Sequence, residues 1–333
     1  MKAILCALAL AAVSVSVFAA EEKPTYLTPA AGGADYASQG EYKNDWGGAQ
    51  VIALGNDEFR MVTYPGGLPG AGWNQETRTQ IPGKRVEKKV ALTGDNGFKA
   101  ELVDDKIVFT GENGYKAELA GGKITIHTAT GGPYTMEKIE RKSPTLGEKP
   151  PAGAVVLFDG STADGWQGGH LDDRKLLAAG CKSKQAFGNF TAHFEFLLPF
   201  KPLGRGQDRG NSGVYLQDRY ELQVLDSFGL KGENNECGGF YQQAAPKVNM
   251  CFPPLTWQTY DIDFTAATYD ASGAKTKSAR VTVKHNGVLI HENFEFKGCT
   301  AGNGRKEDAT DGPFMLQGHG NPVFYQNIWV VAK

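Results

Sequence analysis

The sequence predicts an all-β protein in which two packed antiparallel sheets, a β-sandwich, follow a small β-rich domain. Three observations carry that reading. Glycine makes up 43 of the 333 residues in a chain that is 41% hydrophobic and has few helical periodicities, the composition of a turn-rich β protein. From residue 154 onward, short runs of alternating apolar and polar residues recur at even spacing. Between Gly97 and Thr128, two similar segments follow each other seventeen residues apart, each reading as two strands joined by a tight turn.

Residues 1–20 read as a signal peptide. Lys2 precedes an apolar run from Ala3 to Ala12, and small residues around Val17, Ala19 and Ala20 suit cleavage. The run is shorter than the roughly 18 apolar residues of a spanning helix, and Ser14 and Ser16 interrupt it. The expectation is an exported protein, periplasmic or extracellular, with no stable membrane anchor after cleavage. About 310 residues then remain, enough for two cores at ~150 residues each. The formal net charge of -2, without a basic patch interleaved with aromatics, argues against a nucleic-acid partner.

Four cysteines follow the signal segment: Cys181, Cys237, Cys251 and Cys299. An even number in an exported chain permits two disulfides in any of three pairings. Cys237 and Cys251 bracket one loop and form the candidate pair; free buried thiols are the alternative. No CxxC pair is present, which argues against a structural zinc site.

The N-terminal domain spans 21–142 and opens on a lead-in, to about residue 45, rich in Ala, Gly, Thr and Pro and without apolar periodicity. GFKAELVDDKIVFTG (Gly97 to Gly111) and GYKAELAGGKITIHT (Gly114 to Thr128) are the repeated hairpins, and two copies fit a small sheet better than a solenoid. In Val51 to Trp73, two apolar strands flank a Gly/Pro-rich loop, whose Tyr64 and Trp73 either touch a ligand or simply cover the sheet. A Pro/Gly-bearing linker, 143–153, then leads into the second domain, 154–333.

Polar residues stand in three places where this second domain should carry plain strands. GRGQDRGNSGVYL puts Arg205, Gln207, Asp208, Arg209 and Asn211 at a strand entrance. In YELQVLD, Glu221 and Gln223 share one face while Leu222 and Val224 take the other. Strict alternation turns Asp226 away from Glu221, and one bulged residue would return it to the same side. The spacing is similar to the bulged strand of laminarinase-type glycosidases, but Gln223 occupies the middle position, which speaks against double displacement through a glycosyl intermediate. In the third place, Gln317 and His319 sit beside glycines at a strand end, where a histidine can polarise a carbonyl, move a proton or cap a turn.

Six motifs in order, LFDGSTADGW, RGNSGVYLQDRYELQVLDS, GGFYQQAAP, PPLTWQTYDIDF, HNGVLIH and LQGHGNPVFYQNIWV, together resemble the 3-keto-disaccharide hydrolase domain family over about 180 residues. The resemblance implies a concanavalin A-like jelly-roll sandwich and an exported enzyme acting on sugars whose C3 hydroxyl is already a ketone. It further implies that Asn211, Glu221, Gln223, Asp226, Gln317 and His319 line one concave face. The sequence departs from the family pattern at Gly318, where Asp often precedes the His, and at Gln326, where Arg often precedes Asn-Ile.

A C3 ketone acidifies the C2 hydrogen, so a base can remove it and the enolate can expel the C1 oxygen; water then completes net hydrolysis. Such a site needs one base, one acid and one donor to the enolate oxygen. The expected roles are Glu221 as base, His319 as enolate donor and Asp226 as acid or orienting group, with Arg209, Asn211, Gln223, Tyr241 and Gln317 binding an oligosaccharide or glycoside. No cofactor is certain, and the spacing leaves room for a divalent metal held by His319 and a carboxylate. The alternatives are a lectin-like module without turnover and a laminarinase-type endo-glucanase.

Overall fold

The computed structural model describes residues 23–86, 106–112, 114–128 and 131–333. The expected signal peptide and the first strand of the Gly97 to Gly111 repeat lie outside the described residues. Eight antiparallel strands form a closed barrel: β1 (Gly40–Lys43), β2 (Gly47–Gly55), β3 (Glu58–Pro65), β4 (Thr79–Val86), β5 (Lys106–Thr110), β6 (Lys116–Ala120), β7 (Lys123–Thr128) and β8 (Gly131–Ile139). Closure pairs Tyr42 of β1 with Lys138 of β8 and so removes both sheet edges. Tyr42, Val51, Phe59, Met61, Phe109 and Ile124 fill the interior. A Cβ on Gly83 would come within 2.4 Å of the Phe109 ring, so a glycine there gives that ring its space. The expected Gly-Gly hairpin joins β6 to β7, with Gly121 and Gly122 at φ of 56° and 76°, as a primed turn requires.

The lead-in is not loose throughout. Thr28 caps a helix, α1 (Pro29–Ser38), by accepting the Ala31 N–H at 3.3 Å, and Pro29 supplies the preset φ of its first turn. Gly33, at φ 58°, interrupts the helical run, which is why no apolar period marks it. Among the described residues, no helix is long and apolar enough to cross a membrane.

The second domain is the expected sandwich. Its smaller sheet has the order β10 (Trp166–Gln167), β12 (Cys181–Phe187), β21 (Gly312–Leu316), β14 (Asn211–Leu216), β15 (Tyr220–Leu225). The larger has the order β11 (Leu177–Ala178), β22 (Phe324–Ala332), β13 (Phe190–Leu197), β16 (Gln258–Thr265), β19 (Arg280–His285), β20 (Val288–Glu295), with β9 (Val155–Phe158) also on β22. A separate ribbon pairs β17 (Thr268–Tyr269) with β18 (Lys275–Lys277). Alternation decides what meets between the sheets: Val214, Leu222, Val224 and Phe314 from one, Phe194, Phe196, Tyr260 and Ile262 from the other. Phe314 stands edge-on to Phe190 at 4.9 Å and to Phe194 at 5.2 Å, locking the two layers together.

The barrel shares this core. Ile52, Val62, Tyr64 and Leu68 belong to the sandwich cluster, so β2, whose Val51 and Ala53 face the barrel interior, is buried on both faces. Tyr64 is buried, stacks edge-on against Trp73 at 4.9 Å and donates to Gln50 Oε1 at 2.7 Å, so these aromatics cover the sheet. The 143–153 segment is strapped over the outside of the larger sheet: Thr145 Oγ1 donates to Asp261 Oδ2 at 2.8 Å and the Gly147 N–H to Glu195 Oε1 at 2.6 Å. Beneath it His193 bridges Asp261 at 2.6 Å and Glu195 at 3.3 Å; burial alone lowers its pKa, but those two carboxylates raise it to about 9.

Candidate functional site

The period of two on three adjacent strands builds the site. Asn211, Gly213 and Tyr215 on β14, Glu221 and Gln223 on β15 and Gln317 just beyond β21 share the face of the smaller sheet turned away from the core. Loops complete it. The Gln223 N–H donates to Gly239 O and the Gly238 N–H to Gln223 O, each at 2.9 Å, so residues 238–240 cover the β15 edge and deliver Tyr241. The Thr300 N–H donates to Arg219 O at 3.0 Å and Thr300 Oγ1 accepts the Glu221 N–H at 2.8 Å, which fixes the turn carrying Ala301 and Gly302. With Gln207 and His319, these side chains enclose a hollow of about 200 Å³.

Glu221 is its electrostatic centre. The residue is 3% exposed, and burial pushes its pKa up to about 7, against a smaller lowering by the Tyr215 hydroxyl. Its carboxyl lies across Gly213, where a Cβ would come within 2.6 Å of Oε1. The Gln223 amide, turned to suit its neighbours, donates to Glu221 Oε1 at 3.0 Å and to Ser212 O at 2.9 Å. Tyr215 Oη donates to Ala301 O at 3.1 Å and accepts from Gln317 Nε2 at 3.3 Å. Burial keeps the Tyr215 phenol far above its ordinary pKa, so it stays a hydroxyl. Asn211 Nδ2 donates to Gln207 Oε1 at 3.0 Å, and His319 stands exposed at the rim. A larger depression of about 550 Å³, bordered by Gln167, Lys182 and Met315, shares Gly302 and Gln317 with the hollow.

The hollow therefore gathers Glu221, His319, Asn211, Gln223, Tyr241 and Gln317. It does not gather Asp226 or Arg209. The β14–β15 register runs unbroken from Asn211 opposite Leu225 to Leu216 opposite Tyr220, so the bulge that would have returned Asp226 to the Glu221 side is absent. Asp226 is 0% exposed and faces Arg209, itself 4% exposed, at 3.4 Å; burial raises its pKa, only partly opposed by that guanidinium. Arg209 Nη2 donates in turn to Ala53 O of the barrel at 3.1 Å, which makes the pair a joint between the domains. Tyr215 is the residue of the hollow that sequence reasoning missed, while Gln207, noted only as part of a polar strand entrance, joins it. For Tyr215 the signal was available, since it lies four residues beyond Asn211 on the same strand face.

Cys237 and Cys251 are also corrected, from a disulfide to two free, buried thiols in hydrogen-bond contact. Each has other partners: Cys237 Sγ lies 3.3 Å from Tyr260 Oη, and Cys251 Sγ donates to Phe252 O at 3.4 Å. Among the described residues, the group of three side chains whose donor atoms lie close enough for one metal ion is Glu148, His193 and Asp261, on the far sheet; His319 is not part of it. Gln326 also lies there, donating to Glu195 Oε2 at 2.7 Å.

Residues 153–331 match the family profile described as the 3-keto-alpha-glucoside-1,2-lyase-like domain. The crystal structure of a provisionally assigned glycosyl hydrolase from Parabacteroides distasonis is 32% identical, with a TM-score of 0.51, over 55% of this chain and 85% of that one. Two further provisionally assigned glycosyl hydrolases of that organism are 17% and 18% identical, with TM-scores of 0.40 and 0.39. Each of those matches covers 54% of this chain, and 94% and 99% of theirs. No curated protein matches the chain.

Proposed function

Because the chain belongs to the 3-keto-alpha-glucoside-1,2-lyase-like family through residues 153–331, we propose that it is an exported enzyme that cleaves 3-keto-glycosides by elimination across C1 and C2. One observation carries the mechanism: among the described residues the hollow contains a single carboxylate, Glu221, with its pKa raised to about 7. Hydrolysis of an unoxidised glycoside uses two carboxyl groups flanking the bond, and the second carboxyl that the sequence offered, Asp226, is sealed behind the sheet against Arg209. Proton abstraction beside a ketone needs one base with a pKa near the working pH.

In this reading Glu221 takes the C2 hydrogen as a proton, and the C–H electrons form the C2–C3 double bond while the ketone oxygen gains the charge. His319 and the donors around Gln317 meet that oxygen. The charge then returns, C3=O and C1=C2 form, and the C1–O bond breaks. Glu221, now protonated, gives its proton to the departing oxygen, a role a group with a pKa near 7 fills as well as the first. Water adding across C1=C2 completes net hydrolysis. The adjoining depression has room for the leaving group.

Incubation with a 3-keto-disaccharide and with its unoxidised parent is expected to cleave only the former. Inertness toward both, with intact glycan bound, would leave a lectin-like module; reducing ends released from an unoxidised glucan would make the enzyme a laminarinase-type glycosidase.

A further inference from the structure

A cleft of about 470 Å³ opens between α1, the end of β8 and residues 253–257 of the sandwich, and it shares no lining residue with the hollow. It is within the size range of small-ligand sites. Two features in its wall are costly to the protein. Gln39, 3% exposed, uses its Oε1 to accept the Ala53 N–H at 3.1 Å, while its Nε2 has no hydrogen-bond partner. Leu255 is held at φ 62°, in the left-handed region that a leucine rarely enters, by its N–H bond to Leu198 O at 2.8 Å. An unpaired donor and a strained residue at one cavity mark a built site rather than an accidental gap.

The lining names the ligand chemistry. Tyr36 and Trp257 bring aromatic surface, and the Gln39 amide and the Thr256 hydroxyl bring neutral hydrogen-bonding groups. Most of the charged groups of the wall are engaged by the protein itself. Arg141 clasps Glu41 through two bonds of 2.6 Å, and Lys138 Nζ donates to Ala37 O at 2.5 Å. Glu140 and the exposed Lys142 oppose each other in sign. Aromatic rings beside neutral donors suit the C–H face and hydroxyls of a sugar ring.

We propose that this cleft is a second sugar site, binding an uncharged pyranose at the junction of the two domains without cleaving it. It stands whether or not the hollow takes oxidised substrates. Titration calorimetry with maltose, an unoxidised disaccharide, tests it on the full chain. The parent protein is expected to bind with a dissociation constant on the order of millimolar. Trp257→Ala and the shape-conserving Gln39→Met should each weaken binding by about tenfold or more, with the melting temperature of Gln39→Met confirming an intact fold. Tyr241→Ala, in the hollow, should leave the affinity unchanged. No heat of binding at millimolar sugar, or binding lost with Tyr241→Ala and kept in both cleft variants, would overturn the proposal.

Discussion

Glu221→Gln is expected to lower turnover of a 3-keto-glycoside by roughly 10²–10⁴-fold, the usual contribution of a positioned acid or base, and at the same time to make the protein more stable above pH 7. The second effect follows from the buried carboxyl. It titrates near 4.5 in the unfolded chain and at about 7 in the fold, so the folded state holds the proton more tightly between those values. Stability from this group is complete below about pH 4.5, falls as pH rises toward 7 and is lost above it, a change of up to about 3 kcal/mol. A neutral amide of the same shape carries no such penalty. Urea unfolding of both proteins at pH 4 and pH 8 should therefore show a gain for the variant only at pH 8. Equal stability at pH 8 would mean that the carboxylate is solvated or paired, and the argument for a base with a pKa near 7 would fail. The parent enzyme's kcat/KM should rise with pH through the same region, because only the ionised carboxylate abstracts a proton.

Asp226→Ala separates the joint from the site. The substitution strands the Arg209 guanidinium, 4% exposed, without its counter-charge, and breaking a buried pair from one side costs about 3–5 kcal/mol. The urea midpoint should drop accordingly. Turnover per folded molecule should stay near that of the parent, because Asp226 faces the barrel side and does not line the hollow. Combining it with Arg209→Met, which removes the stranded charge, should recover part of the loss. A collapse of turnover in molecules that remain folded would return Asp226 to the catalytic group.

What the sequence made legible was what a period of two can carry. Alternation in YELQVLD assigns the inward and outward residues of β15 as the fold has them, and so puts Glu221 and Gln223 together. His319 reaches the same hollow although nothing local says so; order along six motifs carried that expectation. Asp226 failed because placing it beside Glu221 required a bulge, and a bulge depends on the partner strand, here an uninterrupted β14. Barrel closure was hidden for a related reason, since the β1–β8 pairing joins residues about a hundred positions apart that share no local pattern. The helix at Pro29 went unread: paired glycines at 32 and 33 leave it no apolar period, and the cap-and-proline start at Thr28-Pro29 was passed over as lead-in. The 143–153 segment has the composition of a linker, yet its backbone and hydroxyls meet a row of polar side chains on the outer face of β13 and β16. Composition does not reveal such complementarity.

The most direct test is the fate of the C2 hydrogen. The protein is to be incubated with a 3-keto-disaccharide in D₂O, and NMR of any products, corrected for exchange of the keto-sugar standing alone in the same buffer, counts deuterium at C2. Abstraction by Glu221 predicts close to one deuterium at C2 for each bond cleaved, and none above background with Glu221→Gln. Cleaved product that keeps its original C2 hydrogen would mean direct displacement at C1, and the single-carboxylate mechanism would be wrong.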